Sequence, residues 1–205
     1  MDHVRLLKRL SACDDAVAWC RKYKSLANCW RHCDRADWLL WFAARIGVDR
    51  KLIALAACGC AETSLQYIQN IRYREKAETA INTVRKWAAD KATIGEVRSS
   101  AADVDTADAA GYADAAAYTA AAAAGAGAAA TATAYAAGTA YAADDADDAD
   151  AAAAAAYAAA AAYAAAATGA TAAAAAKKKS LSAMCIIVRK YISWEQIKKE
   201  KKLNK

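Results

Sequence analysis

Apolar residues return every three or four positions through the first hundred residues and again beyond Leu181, which is the period of an amphipathic helix. No stretch alternates as a half-buried strand does. Ser11-Ala-Cys-Asp14 resembles a capping box with Asp in place of the usual Glu, and predicts a helix to about Tyr23. Ser25 opens a short helix through Cys33. Asp34 or Asp37 caps a helix that runs from Trp38 to Ile46, and Gly47 stops it. Asp49 caps another from Lys51 to Ile68, with Leu52, Leu55, Ala56, Gly59 and Leu65 facing inward. From Arg74 to Ala89 the apolar stripe is Ala77, Ala80, Ile81, Val84 and Trp87. Thr93-Ile-Gly-Glu96 is a second capping box. Leu181, Met184, Ile187, Val188 and Tyr191 recur at helical spacing, and Ser193-Trp-Glu-Gln196 restarts a basic tail.

Between these parts, residues 101–176 are about two thirds alanine, with nine Asp, six Tyr and no Lys or Arg. Alanine is the strongest helix former, and the chain contains no Pro, so the tract is expected to be helical. Its tyrosines form three pairs, Tyr112/Tyr118, Tyr135/Tyr141 and Tyr157/Tyr163. On one unbroken helix at about 100° per residue they would point all around the axis. Shorter helices, broken near Gly125-Ala-Gly127 and near Asp144 to Asp150, would bring each pair to a shared seam. The expected fold class is therefore all-α, a helical bundle whose long Ala-rich segment forms two or more closely packed helices. One domain is expected over 1–192, with a Trp/Arg-rich part (1–100), Ala/Tyr/Asp-rich helices (101–176) and a closing helix (177–192). A basic tail follows over 193–205.

Composition sharpens this picture at two points. Five of the six Trp precede residue 90 and the other is Trp194, so the core should form where the two ends of the chain meet. The net charge of +6 is segregated: +7 over 1–100, −9 over the tract and +8 over 177–205. Such a pattern serves internal docking, oligomerisation or an anionic partner. The seven Cys follow a charged N-terminus, and are expected to be reduced, small buried side chains in a cytoplasmic protein. The alanine runs are broken by Asp, Gly, Thr and Tyr, which excludes a membrane span.

The densest chemistry lies in Trp30-Arg-His-Cys33-Asp34-Arg35-Ala-Asp37-Trp38-Leu-Leu-Trp41. As structure, it is a helix junction in which Asp caps, Arg pairs with Asp and Trp fills a core short of large side chains. As function, it is a recognition surface, since Trp and Arg dominate binding hot spots. An anionic ligand or partner is expected to meet Arg31, Arg35, Asp37, Trp38, Trp41, Arg45, Arg50, Arg189 and Lys190, with Tyr112 and Tyr118 lining any pocket. A zinc site from Cys29, His32 and Cys33 with Cys58 and Cys60 is disfavoured. Cys-x-Cys is not a zinc knuckle, and these Cys sit inside predicted helices. No metal or other cofactor is expected. No phosphate loop, His-Glu-x-x-His or nucleophile–base pair is present, so an enzyme is not expected.

Four stretches carry a family resemblance. They are Leu10-Ser-Ala-Cys-Asp-Asp-Ala-Val-Ala-Trp19, Trp30-x-x-Cys-x-Arg-x-Asp-Trp-Leu-Leu-Trp41, Asp49-Arg-Lys-Leu-x-x-Leu-Ala-Ala-Cys58 and Lys179-Ser-Leu-x-x-x-Cys-x-Ile-Val-Arg-Lys-Tyr191. Together with the Ala/Tyr/Asp-rich middle, they resemble a family of immunity proteins of bacteria and their phages. The resemblance implies a non-enzymatic immunity or anti-defence protein that neutralises a toxin, a defence effector or its signal by stoichiometric binding. The alternative is a phage-type sponge that sequesters an anionic signalling nucleotide in a basic, Tyr-lined pocket. A structural or ice-binding Ala-rich helical protein is a third reading, weakened because the Thr residues keep no eleven-residue register. The partner is accordingly a toxin or effector protein or a nucleotide signal, with no membrane involved, and the chain is expected to form a homo-oligomer.

Overall fold

A computed structural model describes residues 3–63, 65–67, 71–100, 103 and 170–203. Its helices are α1 (His3–Arg9), α2 (Asp14–Cys20), α3 (Leu26–His32), α4 (Ala36–Arg45), α5 (Arg50–Glu62), α6 (Ile71–Ala88), α7 (94–100), α8 (Ala170–Tyr191) and α9 (Trp194–Leu203). A 3₁₀ turn, Leu65–Tyr67, follows α5. The fold is all-α, with no strand among the described residues. The packing expected within the Ala-rich tract, and with it Tyr112, Tyr118 and Asp144 to Asp150, lies outside them. No helix among the described residues is long and apolar enough to cross a membrane.

Local sequence sets the helix ends. The Ser25 hydroxyl accepts from Asn28 N–H at 3.3 Å, and the Asp49 carboxylate accepts from Lys51 N–H at 2.8 Å. Two capping boxes close reciprocally. Glu96 accepts from Thr93 N–H at 2.7 Å while Thr93 accepts from Glu96 N–H at 3.2 Å. The corresponding distances in the Ser193/Gln196 pair are 2.6 and 3.3 Å. Helix α4 stops in a Schellman motif, with Gly47 at φ 84°, Gly47 N–H donating to Ala44 O and Val48 N–H to Ala43 O, both at 3.0 Å.

The same geometry corrects the reading of Ser11. Ser11 ends α1 in the left-handed region at φ 63°, its N–H on Lys8 O and that of Ala12 on Leu7 O. It caps nothing in α2, which starts after Cys13 without a side-chain cap. Asp90, at φ 58°, ends α6 in the same way. Helix α4 likewise starts after Arg35 without a side-chain cap, so neither Asp34 nor Asp37 serves as one. Helix α5 ends at Glu62 instead of Ile68, where the Thr63 hydroxyl turns back onto Cys60 O at 2.7 Å.

The core forms where the two ends of the chain meet. Helix α8 lies along α5 and α4, and α6 also packs on α5. From the C-terminal part come Leu181, Met184, Cys185, Val188, Ile192 and Ile197, all buried. Ile197 is in α9, so the basic tail is anchored in the core. The predicted stripe of α6 is buried at every position. Each large side chain sealed this way contributes about 1.5–3 kcal/mol. Apart from Ile53, the buried residues of α5 are small: Ala54, Ala56, Ala57, Cys58, Gly59, Cys60 and Ala61. A Cβ at Gly59 would fall 2.7 Å from Ile187 Cγ2 and 3.3 Å from the Tyr191 ring. Glycine is what lets α8 approach so closely.

The cysteines divide into three kinds: Cys13 is free and exposed, contrary to the expectation that all would be buried. Cys33, Cys58, Cys60 and Cys185 are buried thiols, as expected. Burial pushes Cys33, Cys58 and Cys185 up to about 12 and Cys60 higher still, so all four stay neutral and inert. Cys20 and Cys29, however, are joined as a disulfide between α2 and α3, which overturns the expectation of reduced thiols throughout. Their helices approach with Cα atoms 5.7 Å apart, well inside disulfide range.

Candidate functional site: an aromatic and arginine corner

Helices α2, α3 and α4 meet at a corner rich in rings. Trp19 lies 4.6 Å from Tyr23 and meets Trp38 edge-on at 6.1 Å between ring centres. Tyr23 stacks on His32 at 5.5 Å, nearly parallel. Trp30 is buried and leans on Phe42 at 6.4 Å. Trp19, Trp38 and Trp41 are half-buried: one edge packs on the core and the other faces solvent. Beneath them is an apolar cavity of about 50 Å³, bordered by Trp19, Trp30, Trp38, Trp41, Cys20 and Cys33.

Arginines complete the corner. The Arg35 guanidinium sits 4.7 Å from the centre of the Trp38 ring. It is fixed there by a bidentate pair with Asp37, Nε to Oδ1 at 2.9 Å and Nη2 to Oδ2 at 2.5 Å. Asp37 is buried, so its carboxylate depends on this pairing. Arg45 reaches over Trp41 at 6.0 Å from an exposed position one turn further along α4. These cation–π contacts are worth about 0.5–1 kcal/mol each at exposed sites.

The expected site residues thus part company. Arg35, Asp37, Trp38, Trp41 and Arg45 share the corner, with Arg31 exposed at the end of α3. Arg50 lies elsewhere, over the Trp87 ring at 6.0 Å, beside Lys51. Arg189 turns inward. Its Nη2 donates to Trp30 O at 2.8 Å and Cys33 O at 2.6 Å, and its Nε to Trp30 O at 3.1 Å. It satisfies the carbonyls at the end of α3, the orphan acceptors every helix leaves there. Lys190 is exposed on α8. Tyr112 and Tyr118 lie outside the described residues. Sequence reasoning passed over Trp19, Tyr23 and His32 as site residues. The four-residue spacing of Trp19 and Tyr23 was the available signal, since such pairs meet at a helix end.

The corner presents half-covered aromatic rings and two guanidinium groups held against them. No family model matches this chain. No curated protein and no solved structure matches it either.

Proposed function

We propose that the chain is a non-enzymatic immunity or anti-defence protein that neutralises a toxin or defence effector by one-to-one binding through the corner around Trp38. The observation that carries this reading is the Asp37–Arg35–Trp38 stack. Its guanidinium is ordered before any partner arrives, on a ring that still has an open edge. Preordered Trp and Arg lose little entropy on binding, and they are the residues in which interface energy concentrates. Exposed Arg31 and Arg45 flank the stack and favour an acidic partner surface.

The nucleotide-sponge alternative has less support. The donors of Arg189 are engaged by backbone carbonyls, Arg50 stands apart, and Asp37 offsets the charge of Arg35.

The test is rescue of cells that express candidate effectors, with complex stoichiometry measured alongside. Wild-type protein is expected to protect at equimolar dose. Folded Trp38→Ala and Arg45→Ala variants should bind at least about 30-fold more weakly, equivalent to about 2 kcal/mol at a hot spot. Protection at far below equimolar dose would indicate catalysis and end the reading. Tight uptake of cyclic nucleotides, unchanged in Trp38→Ala, would favour the sponge instead.

A further inference from the structure

Three short helices of seven residues each converge on one point. Helix α1 brings His3, α2 ends on Cys20, and α3 contributes Cys29. The candidate ligand atoms of these three side chains all lie within 4.8 Å of one another. Both cysteines are buried, at 3% and 5% exposure, while His3 is half-buried. A 3.3 Å contact from Nε2 to the Cys20 carbonyl holds the His3 ring over the pair.

We propose that His3, Cys20 and Cys29 form a zinc site that is filled when the cysteine pair is reduced and dismantled when it is oxidised. The donor set decides the kind of ion. Two thiolates and an imidazole suit zinc and other thiophilic ions, whereas calcium and magnesium take oxygen ligands. The geometry fits as well. With zinc–sulfur bonds of about 2.3 Å and zinc–nitrogen bonds of about 2.0–2.1 Å, a tetrahedral centre holds its donors about 3.6–3.8 Å apart. The Cα atoms of the two cysteines are 5.7 Å apart. Rotation about Cα–Cβ therefore carries the sulfurs to that spacing without moving a helix. Cys20 and Cys29 also border the apolar cavity of about 50 Å³.

Charge supplies the reason for a metal. Two thiolates in an apolar pocket would be an uncompensated double negative charge, and a dication cancels it. The fold gains too. Helices of seven residues are marginal alone, and either a disulfide or a metal would tie all or part of this corner together.

The chemistry balances with ordinary reagents. A dithiol reductant delivers two electrons and two protons to the disulfide, becomes a cyclic disulfide itself, and leaves two thiols. Zinc then displaces one proton from each thiol and takes the lone pair of the neutral His3 ring. Hydrogen peroxide reverses the state: the two thiolates give up two electrons to form the disulfide, zinc is released, and the peroxide takes two protons to become two waters.

The experiment uses the full chain, reduced under nitrogen, freed of reductant and titrated with cobalt(II). A thiolate-to-cobalt charge-transfer band with the visible absorption of a tetrahedral centre is expected. It should saturate at one ion per chain, vanish when zinc is added, and be absent from the oxidised protein. Cys29→Ser should abolish the band. His3→Gln, at a half-buried position near the chain end, should weaken cobalt binding at least tenfold while far-ultraviolet circular dichroism stays unchanged. Cys13→Ser and Cys33→Ser should bind as wild type. No band in the reduced wild type, or a band that survives Cys29→Ser or is unaffected by His3→Gln, overturns the site and assigns any uptake to the other thiols. Should Cys29→Ser fail to fold, the His3→Gln result decides alone.

Discussion

Where α5 meets α8, the buried side chains of α5 are mostly Ala, Cys and Gly, with the helices so close that Gly59 has no room for a methyl group. Where α2, α3 and α4 meet, the side chains are Trp, Tyr, His and Arg, mostly half-buried, with a cavity left between them. The seam gains its stability from fit, the corner from large rings that need only one covered edge. A seam of small residues has nothing to present to a partner. A corner of half-covered rings is incompletely satisfied by its own fold, and that remainder is available for recognition.

Alkali should have the largest effect, and it should reach both regions, since Cys33 at the corner is raised as far as the seam thiols. Folded Cys58 ionises only near about 12, against an ordinary thiol value of 9.0, and Cys185 behaves alike. In the window between those values the unfolded chain has lost protons that the folded chain keeps, so stability falls as pH rises and is fully present below about pH 9. Thermal melts from pH 7 to 11 should be flat at first and then drop steeply. A flat profile throughout would mean that the buried thiols of both regions are open to water. Next in size is Gly59→Ala. The new methyl meets the branched Ile187, which is stiff within a helix, so overpacking of about 1–3 kcal/mol is expected despite alanine's better helix propensity. Urea unfolding measures it, and a neutral or stabilising result would show that α8 can slide away.

Trp38→Ala should cost less than the 3–5 kcal/mol typical of a buried tryptophan, about 1–2 kcal/mol, because the ring is half-exposed. A loss at the full buried value would move Trp38 from the recognition face into the core. The smallest effect is a gain. Ser11→Gly relieves a left-handed residue at the end of α1, and should raise stability by up to about 1 kcal/mol in the same urea assay. A loss would mean that the serine side chain contributes something its backbone role does not explain.

What the sequence made legible follows the range of the interaction. Caps at Ser25, Asp49, Thr93 and Ser193 involve residues two or three positions apart, and the α6 stripe needs only the helical period. Ser11 misled because a box needs an acid long enough to reach back. Asp14 is one carbon shorter than Glu, and the serine hydroxyl fits a left-handed turn as well as a cap. The Arg35–Asp37 pair was local and expected. Arg189 was placed on the ligand side because its acceptors, Trp30 O and Cys33 O, lie 159 and 156 residues away in the chain. Cys20 and Cys29 meet only once α2 and α3 have folded against each other, and His3 joins them from a third helix.

That long-range bond has a topological side. Arg189 fastens the far end of the chain to the last carbonyls of α3, while Val97 of α7 and Leu181 of α8 enter the same core. Neither flank of the alanine-rich stretch therefore completes a core alone. Removing the C-terminal helices would take the Arg189 donors from Trp30 O and Cys33 O and uncover the faces of α4 and α5 on which α8 packs.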